Sequence, residues 1–189
     1  MEDIVKLAEA LHGHLSPGVA LGIQIGQIGL KRLGLSRGDR RIFAVVETSM
    51  CLADGVQVST GCTAGHSSLR VEDFGKLAAC IARSDTKEGV RLSLKCDSLP
   101  QIVRDWVLRR RKFSHEEEEK VSREILHLDE TFFHVERVSV EPFSTFETAA
   151  IVKCDLCGEW VVETKTVRVD GRNICKTCGG ERYYRPLNP

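Results

Sequence analysis

The apolar residues of several segments recur every three or four positions, the period of an α-helix with one buried face. The first such segment ends at the break His12-Gly13-His14. The second starts where Ser16 provides an N-cap and Pro17 takes the favoured first helical position. The predicted helices are residues 3–11, 17–33, 52–59, 100–112 and 114–128.

Segments rich in β-branched and aromatic residues predict strands between these helices. The predicted strands are residues 41–48, 77–83, 90–94 and 132–140. Residues 84–89, between the second and third of them, suit a hairpin loop. The pattern predicts an α+β core domain with four or five strands over residues 1–148, followed by a small domain over residues 149–189.

The second predicted helix carries glycines at every fourth position. Gly18, Gly22 and Gly26 therefore form a stripe without side chains along one face. Each glycine costs a helix about 1 kcal/mol relative to alanine. We expect close approach of another backbone, a strand or a helix, to compensate for this cost.

Four cysteines in the small domain form two pairs of the type Cys-x-x-Cys. Cys154 and Cys157 are followed, after 17 residues, by Cys175 and Cys178. A domain of about 40 residues rarely folds without a metal or disulfides. Four thiolates at this spacing predict one structural zinc, with iron or a redox-active dithiol as alternatives. Asp155, inside the first pair, offers an oxygen ligand if a sulfur is oxidised or displaced.

Charge and hydropathy exclude some classes of function. The 189 residues include 27 basic and 27 acidic side chains, which argues against a dedicated nucleic-acid-binding protein. No secretory signal is recognisable at the N-terminus, and the most apolar stretch, residues 19–30, is too short for a membrane span. We expect a cytoplasmic protein that does not enter a membrane, where thiols stay reduced.

A second group of metal-binding residue types lies in the predicted core. His12 and His14 stand between two helices, Cys51 follows a strand, and Cys62 lies in the loop 61–65. Cys51 begins a predicted helix, whose N-terminus favours a thiolate, and Asp54 comes three residues later. Histidine and cysteine together suit zinc or a similar cation. Cys80, Cys96 and the remaining histidines, His115 among them, are expected to be structural.

Residues 12–26 (HGHLSPGVALGIQIG) and 51–65 (CLADGVQVSTGCTAG) resemble the FmdE family, which is named after a component of formylmethanofuran dehydrogenase. That family shows an HGHxCPG opening, a later cysteine-to-aspartate segment and a GCTxG loop, and many members append a double Cys-x-x-Cys finger. One departure is visible, because Ser16 stands where the family opening has a cysteine. A mechanism that needs a thiol at this position is therefore not expected here.

The resemblance implies a thioredoxin-like core with a mixed β-sheet flanked by helices, a treble-clef zinc finger and a homodimer. It also implies a second metal, zinc by expectation, held by His14, Cys51 and Cys62, with His12 as the alternative ligand. Subunits of a molybdenum or tungsten formylmethanofuran dehydrogenase are the implied partners.

Four functions remain open from the sequence. The first is an accessory subunit or relative of formylmethanofuran dehydrogenase. The second is a metal-dependent enzyme in its own right, with Asp54 and Cys51 as catalytic residues and Asp54 as the general base. The third is a protein that handles metals or the molybdenum cofactor. The fourth, disfavoured by the balanced charge, is a regulator that binds nucleic acid through the finger.

Overall fold

The computed structural model describes residues 2–143 and 149–187. The chain divides into two compact units, a core unit up to Phe143 and a C-terminal unit from Ser144 onwards. The domain boundary expected at residue 148 falls next to residues 144–148, which lie outside the described residues. No helix in the described part of the chain is long and apolar enough to cross a membrane.

The core unit contains five α-helices and five β-strands among its described residues. The helices are α1 (Glu2–His12), α2 (Pro17–Leu33), α3 (Leu52–Thr60), α4 (Gln101–Val107) and α5 (His115–Ile125). The strands are β1 (Ile42–Val46), β2 (Leu69–Val71), β3 (Ala78–Arg83), β4 (Glu88–Leu94) and β5 (Phe133–Ser139).

The five strands form one mixed sheet in the order β2-β1-β3-β4-β5. Strands β1 and β2 are parallel, whereas the other neighbours are antiparallel. The expected mixed sheet flanked by helices is therefore present. Strand β2, only three residues long, was not predicted from the sequence. Helix α4 ends at Val107, five residues before the predicted end at Lys112.

Local sequence signals fix the ends of the helices that bear on the site. Ser16 is buried and its hydroxyl accepts a hydrogen bond from the backbone N–H of Val19, so it caps α2. Ser114 and Glu117 form a complete capping box at the start of α5. At the far end of α2, Gly34 adopts a left-handed conformation and ends the helix.

One face of the sheet packs against the helices and forms the main core. Alternate strand residues such as Ala44, Ile81, Leu92 and Phe133 point to this side, where they meet apolar residues of the helices. The central helix α2 contacts β3, β4, α3 and α5. Its residues from Val19 to Ile25 are all buried, which explains why both α2 faces are largely apolar.

The opposite face of the sheet carries a buried ion pair. Arg91 on β4 donates to both carboxylate oxygens of Glu47, at 2.6 and 2.9 Å, and also pairs with Glu136. The Arg91 guanidinium lowers the pKa of Glu47. Cys80 lies beside this pair, and its burial raises the pKa of the thiol to about 12. This cysteine is therefore a structural, unreactive thiol, as expected.

The glycine stripe of α2 faces α3. A Cβ atom added to Gly22 would lie 2.8 Å from the Cα of Gly55 and would collide with the carbonyl oxygen of Leu52. A Cβ added to Gly55 would collide in turn with the carbonyl oxygen of Val19. The expected close approach of another backbone is thus confirmed, and the partner is a helix of the same chain.

The C-terminal unit consists of two β-hairpins among its described residues. The first joins β6 (Ile151–Lys153) to β7 (Trp160–Val162), and the second joins β8 (Thr166–Val169) to β9 (Arg172–Cys175). Asp170 and Gly171 both have positive φ angles, so they form the tight turn that an Asp-Gly pair favours. No α-helix occurs in residues 149–187.

Substituting Gly22 tests the contact between α2 and α3. We expect Gly22→Ala to lower the free energy of unfolding by at least ~2 kcal/mol, because backbone atoms of α3 cannot yield to the new methyl group. Alanine has the higher helix propensity, so propensity alone predicts the opposite sign. Urea denaturation, followed by circular dichroism, measures the difference.

Gly65→Ala is the matched control, since nothing lies within 4 Å of a Cβ at that position. We expect its effect to stay within ~0.5 kcal/mol of zero. Equal losses in the two variants would contradict the proposed role of the helix contact.

Candidate metal centres

The four cysteines of the C-terminal unit meet at one point. The first pair lies in the loop between β6 and β7, and the second pair starts at the last residue of β9. One ligand atom from each of Cys154, Cys157, Cys175 and Cys178 lies within 4.8 Å of all the others. Among the described residues, this is the group of three or more histidines, cysteines or carboxylates that has such a geometry.

The spacing of the sulfurs fits a tetrahedral zinc ion. The Sγ atoms of Cys157 and Cys175 are 3.8 Å apart. Four sulfurs at about 2.3 Å from a central zinc have edges of about 3.8 Å, so this edge already has the length that the ion requires. Four soft thiolates with no open position are typical of a structural zinc site.

Backbone N–H groups point at the sulfurs and favour their charged forms. The N–H of Cys175 lies 3.3 Å from Cys154 Sγ, and that of Cys178 lies 3.4 Å from Cys175 Sγ. Such hydrogen bonds, first from Cys157 and then from Cys175, lower the pKa of Cys154 to about 6. The neighbouring sulfurs of Cys175 and Cys157 raise the pKa of Cys178 to about 12. A bound cation relieves that repulsion.

Asp155 takes a structural role in this unit. Its carboxylate accepts a hydrogen bond of 2.7 Å from the backbone N–H of Asn173, and its own N–H donates to the Asn173 carbonyl. These bonds join the first cysteine loop to strand β9. The carboxylate is not a member of the ligand group, so the candidate ligands are the four sulfurs.

In the core unit, the structure joins His12 to Asp54. His12 is the last residue of α1, Asp54 lies in the first turn of α3, and Nδ1 of the ring is 2.7 Å from Asp54 Oδ2. A carboxylate on one ring nitrogen fixes the orientation of the imidazole and leaves the other nitrogen for a metal or a substrate. This pairing of residues 42 positions apart brings two of the predicted site residues together.

Two further histidines lie beside this pair. The ring centroid of His14 is 5.1 Å from that of His12, and the ring of His115, the first residue of α5, is 6.1 Å from that of His14. Imidazoles that share one tetrahedral zinc have centroids about 5 Å apart, so His12 and His14 have a suitable separation. The sequence did not identify His115 as a site residue, because a single histidine after a helix cap carries no spacing signal.

Cys51 occupies the N-cap position of α3 and is half-buried. It packs against the first turn of α2, since a Cβ added to Gly18 would lie 3.0 Å from Cys51 Cβ. Cys51 and Asp54 are three residues apart at the start of one helix and therefore lie near each other. The structure places this cysteine beside the segment that contains His14.

Cys62 does not belong to this group. It follows Gly61, the C-cap of α3, and so stands at the opposite end of the helix from Cys51. Nine helical residues separate the two ends by about 13 Å, too far for one metal ion to bind both sulfurs. Cys62 is buried, and that burial raises the pKa of its thiol. The ligand set His14, Cys51 and Cys62 is therefore corrected by the removal of Cys62.

Comparison with known proteins decides the family. A profile described as "FmdE, Molybdenum formylmethanofuran dehydrogenase operon" matches residues 11–139, more than half of the chain. The chain belongs to the FmdE family. The match covers α2, α3 and the entire sheet of the core unit, including His12, His14, Cys51 and Asp54.

A solved structure shows the same fold as this FmdE protein. An FmdE-like protein of the tungsten formylmethanofuran dehydrogenase type, from Syntrophus aciditrophicus, superimposes with a TM-score of 0.75 at 28% sequence identity. The similarity covers 97% of this chain and 94% of that one. The likeness therefore extends beyond the core unit into the C-terminal residues.

A curated relative is a probable S-adenosyl-L-methionine-binding protein from Archaeoglobus fulgidus, 33% identical over 195 residues. The alignment covers 93% of this chain but 52% of the relative. The chain thus spans about half the length of that protein.

Loss of the C-terminal metal has a defined consequence. We expect Cys175→Ala to abolish zinc binding by the C-terminal unit and to unfold that unit, because so small a domain depends on its metal for folding. Zinc per chain, measured by plasma mass spectrometry, and amide hydrogen exchange of residues 149–187 report the two effects.

Cys80→Ala provides the control, since it removes a buried thiol of the core sheet. Its zinc content is expected to equal that of the unsubstituted protein. Retention of full zinc by Cys175→Ala would contradict the four-sulfur site.

Proposed function

We propose that this FmdE protein is a metal-binding accessory subunit or relative of a molybdenum or tungsten formylmethanofuran dehydrogenase. In this proposal the C-terminal unit holds a structural zinc on four cysteines, and the core unit holds a second metal ion at its histidine cluster. The observation that carries the proposal is the bond of 2.7 Å between His12 and Asp54, which holds a free ring nitrogen beside His14 and Cys51.

The core ligands are His14 and Cys51, with His12 as the third. His12 and Asp54 have the arrangement common around metal-binding histidines, in which a carboxylate holds the ring nitrogen that does not bind the metal. Three protein ligands leave a fourth position for water or a substrate. The metal supplies Lewis acidity there, while Asp54 keeps the His12 ring in place.

The C-terminal unit supports a docking role in this proposal. Ile151 and Trp160 are 65% and 68% exposed on the first hairpin, and Leu156 is exposed between the first two cysteines. Apolar side chains exposed together are typical of surfaces that contact other proteins. The unit, a treble-clef-type finger in this proposal, docks onto a dehydrogenase subunit or completes a homodimer, and the core has the thioredoxin-like form that its family resemblance implies.

A second candidate is an enzyme that acts without the dehydrogenase. The pair His12 and Asp54 favours it, because an imidazole oriented by a carboxylate is a common general base. In this version Asp54 orients or assists the base, and Cys51 is the adjacent nucleophile or ligand. Chemistry by the isolated protein, dependent on the core metal, separates this candidate from a purely accessory role.

Metal content tests the core site directly. We expect two metal ions per chain in the protein purified without chelators and one in the variant Cys154→Ala/Cys175→Ala. His14→Ala is expected to lose the core ion alone, while Asp54→Asn lowers the affinity of that site about 10- to 100-fold. Plasma mass spectrometry and competition with a zinc-binding dye provide the measurements.

His127→Ala is the matched control, because this exposed histidine bonds to the Arg123 carbonyl at the end of its own helix. It is expected to keep both ions. A single ion in the unsubstituted protein, lost with the finger cysteines, would refute the core site. Failure to bind purified formylmethanofuran dehydrogenase subunits in sedimentation would refute the accessory role but leave the metal sites intact.

A further inference from the structure

A cavity of about 890 Å³ opens in the core unit between the end of α4, the start of α5 and the loops that precede α3 and β3. The volume lies within the range of about 300–1,000 Å³ that small-molecule sites occupy. Its apolar lining comes from Met50, Leu77, Trp106, Val107 and Phe113. The aromatic rings of Trp106 and Phe113 offer flat surfaces for an apolar or planar ligand.

The polar part of the lining is strongly cationic. Arg109, Arg111 and Lys112 line the cavity together with one carboxylate, Glu118. Arg111 is already engaged, since it pairs with Glu117 at 2.8 Å and its guanidinium stacks 3.9 Å above the Phe113 ring. The side chains of Arg109 and Lys112 have no ion-pair partner within residues 2–143 and 149–187. The cavity therefore holds two uncompensated positive charges beside an apolar floor.

The cavity lies next to the histidine cluster. Met50 in its wall directly precedes Cys51, and Glu118 lies one turn after His115 on the same face of α5. Phe113, on the other side, is two residues before His115. A ligand held between Trp106 and Phe113 therefore has one end close to the residues of the proposed core site.

We propose that this cavity binds a small organic anion with an aromatic or extended apolar body. The apolar body lies between Trp106 and Phe113, and a carboxylate, sulfonate or phosphate group pairs with Arg109 and Lys112. Because the cavity adjoins the segment that contains Cys51, its ligand also represents the substrate class of the core site. Only this last step rests on the proposed function.

The combination of features favours a small anion over other occupants. A nucleic acid requires an extended basic surface, whereas the charge of this chain is balanced overall and the cations here are confined to one cavity. A neutral apolar ligand leaves Arg109 and Lys112 without a partner. An anion with an apolar body uses both parts of the lining.

A pair of fluorescent probes tests this preference. The anionic probe is 8-anilinonaphthalene-1-sulfonate, and the neutral one is N-phenyl-1-naphthylamine, which has the same ring system without the sulfonate. The zinc-loaded full chain carries Trp160→Phe, which leaves Trp106 as its single tryptophan. Energy transfer from Trp106 then reports binding close to that residue. We expect the sulfonate probe to bind at least tenfold more tightly than the neutral one.

Charge removal identifies the groups that select the anion. Arg109→Gln/Lys112→Gln is expected to weaken the sulfonate probe about tenfold and to change the neutral probe less than twofold. Lys31→Gln/Arg40→Gln removes the same charge from two other cavities and is expected to leave both probes unchanged. Phenylacetate and phenylphosphate, which distinguish carboxylate from phosphate ligands, are expected to displace the sulfonate probe, whereas 2-phenylethanol is not.

Several results would overturn the proposal. Equal affinity for the two probes removes the anion preference, and equal losses in the two double variants remove the role of Arg109 and Lys112. Binding of the sulfonate probe that falls as protein concentration rises shows that a second copy of the chain fills the cavity. Near-UV circular dichroism confirms that each variant is folded before its affinity is compared.

The cavity and the core metal are separable by experiment. His14→Ala is expected to keep the affinity for the sulfonate probe while it loses the core metal ion. Loss of both in this variant, with the fold intact, would show that the metal itself binds the probe and would overturn the assignment to Arg109 and Lys112. A protein with one metal ion and the expected probe selectivity retains the cavity proposal and loses only the core metal.

Discussion

The contact between the backbones of α2 and α3 controls the geometry of the core unit. Gly22 and Gly55 lie face to face, so that neither position has room for a methyl group. This contact brings the start of α3 against the first turn of α2. Asp54 consequently reaches His12, and Cys51 lies beside Gly18. A wider helix separation, with side chains between the helices, would break both relations at once.

The two units of the chain obtain their stability from different sources. The core unit buries a continuous set of apolar side chains between the helices and one face of the sheet, and the buried residues from Val19 to Ile25 show how completely α2 is enclosed. The C-terminal unit has a small cluster around Ile174 and the cysteine sulfurs. Its hairpins therefore depend on the metal, whereas the core unit has no such requirement.

Much of this arrangement follows from the sequence, and the exceptions have physical causes. The periodic segments located the five described helices of the core unit and four of its five described strands, and the glycine stripe indicated a close backbone neighbour. The sequence did not show that this neighbour is α3, because tertiary packing alone selects Gly55 as the partner of Gly22. Strand β2 was missed because three residues are too few for an alternating pattern. The finger cysteines were readable because four ligands at regular spacing form a local signal.

The core site shows where motif and geometry differ. Cys51 and Cys62 both fall within the family motifs, but the helix predicted between them already requires a separation of about 13 Å between its ends. Motif membership therefore does not imply a shared ligand. His115 shows the converse, since it lies outside the motifs that brought attention to the site and yet stands 6.1 Å from His14. Because α5 brings that histidine to the cluster and also supplies Glu118 to the cavity wall, one helix connects the metal-binding residue types to the cationic cavity. The chemistry of the core unit is thus best understood as one surface region around the starts of α2, α3 and α5, with Cys62 excluded from it.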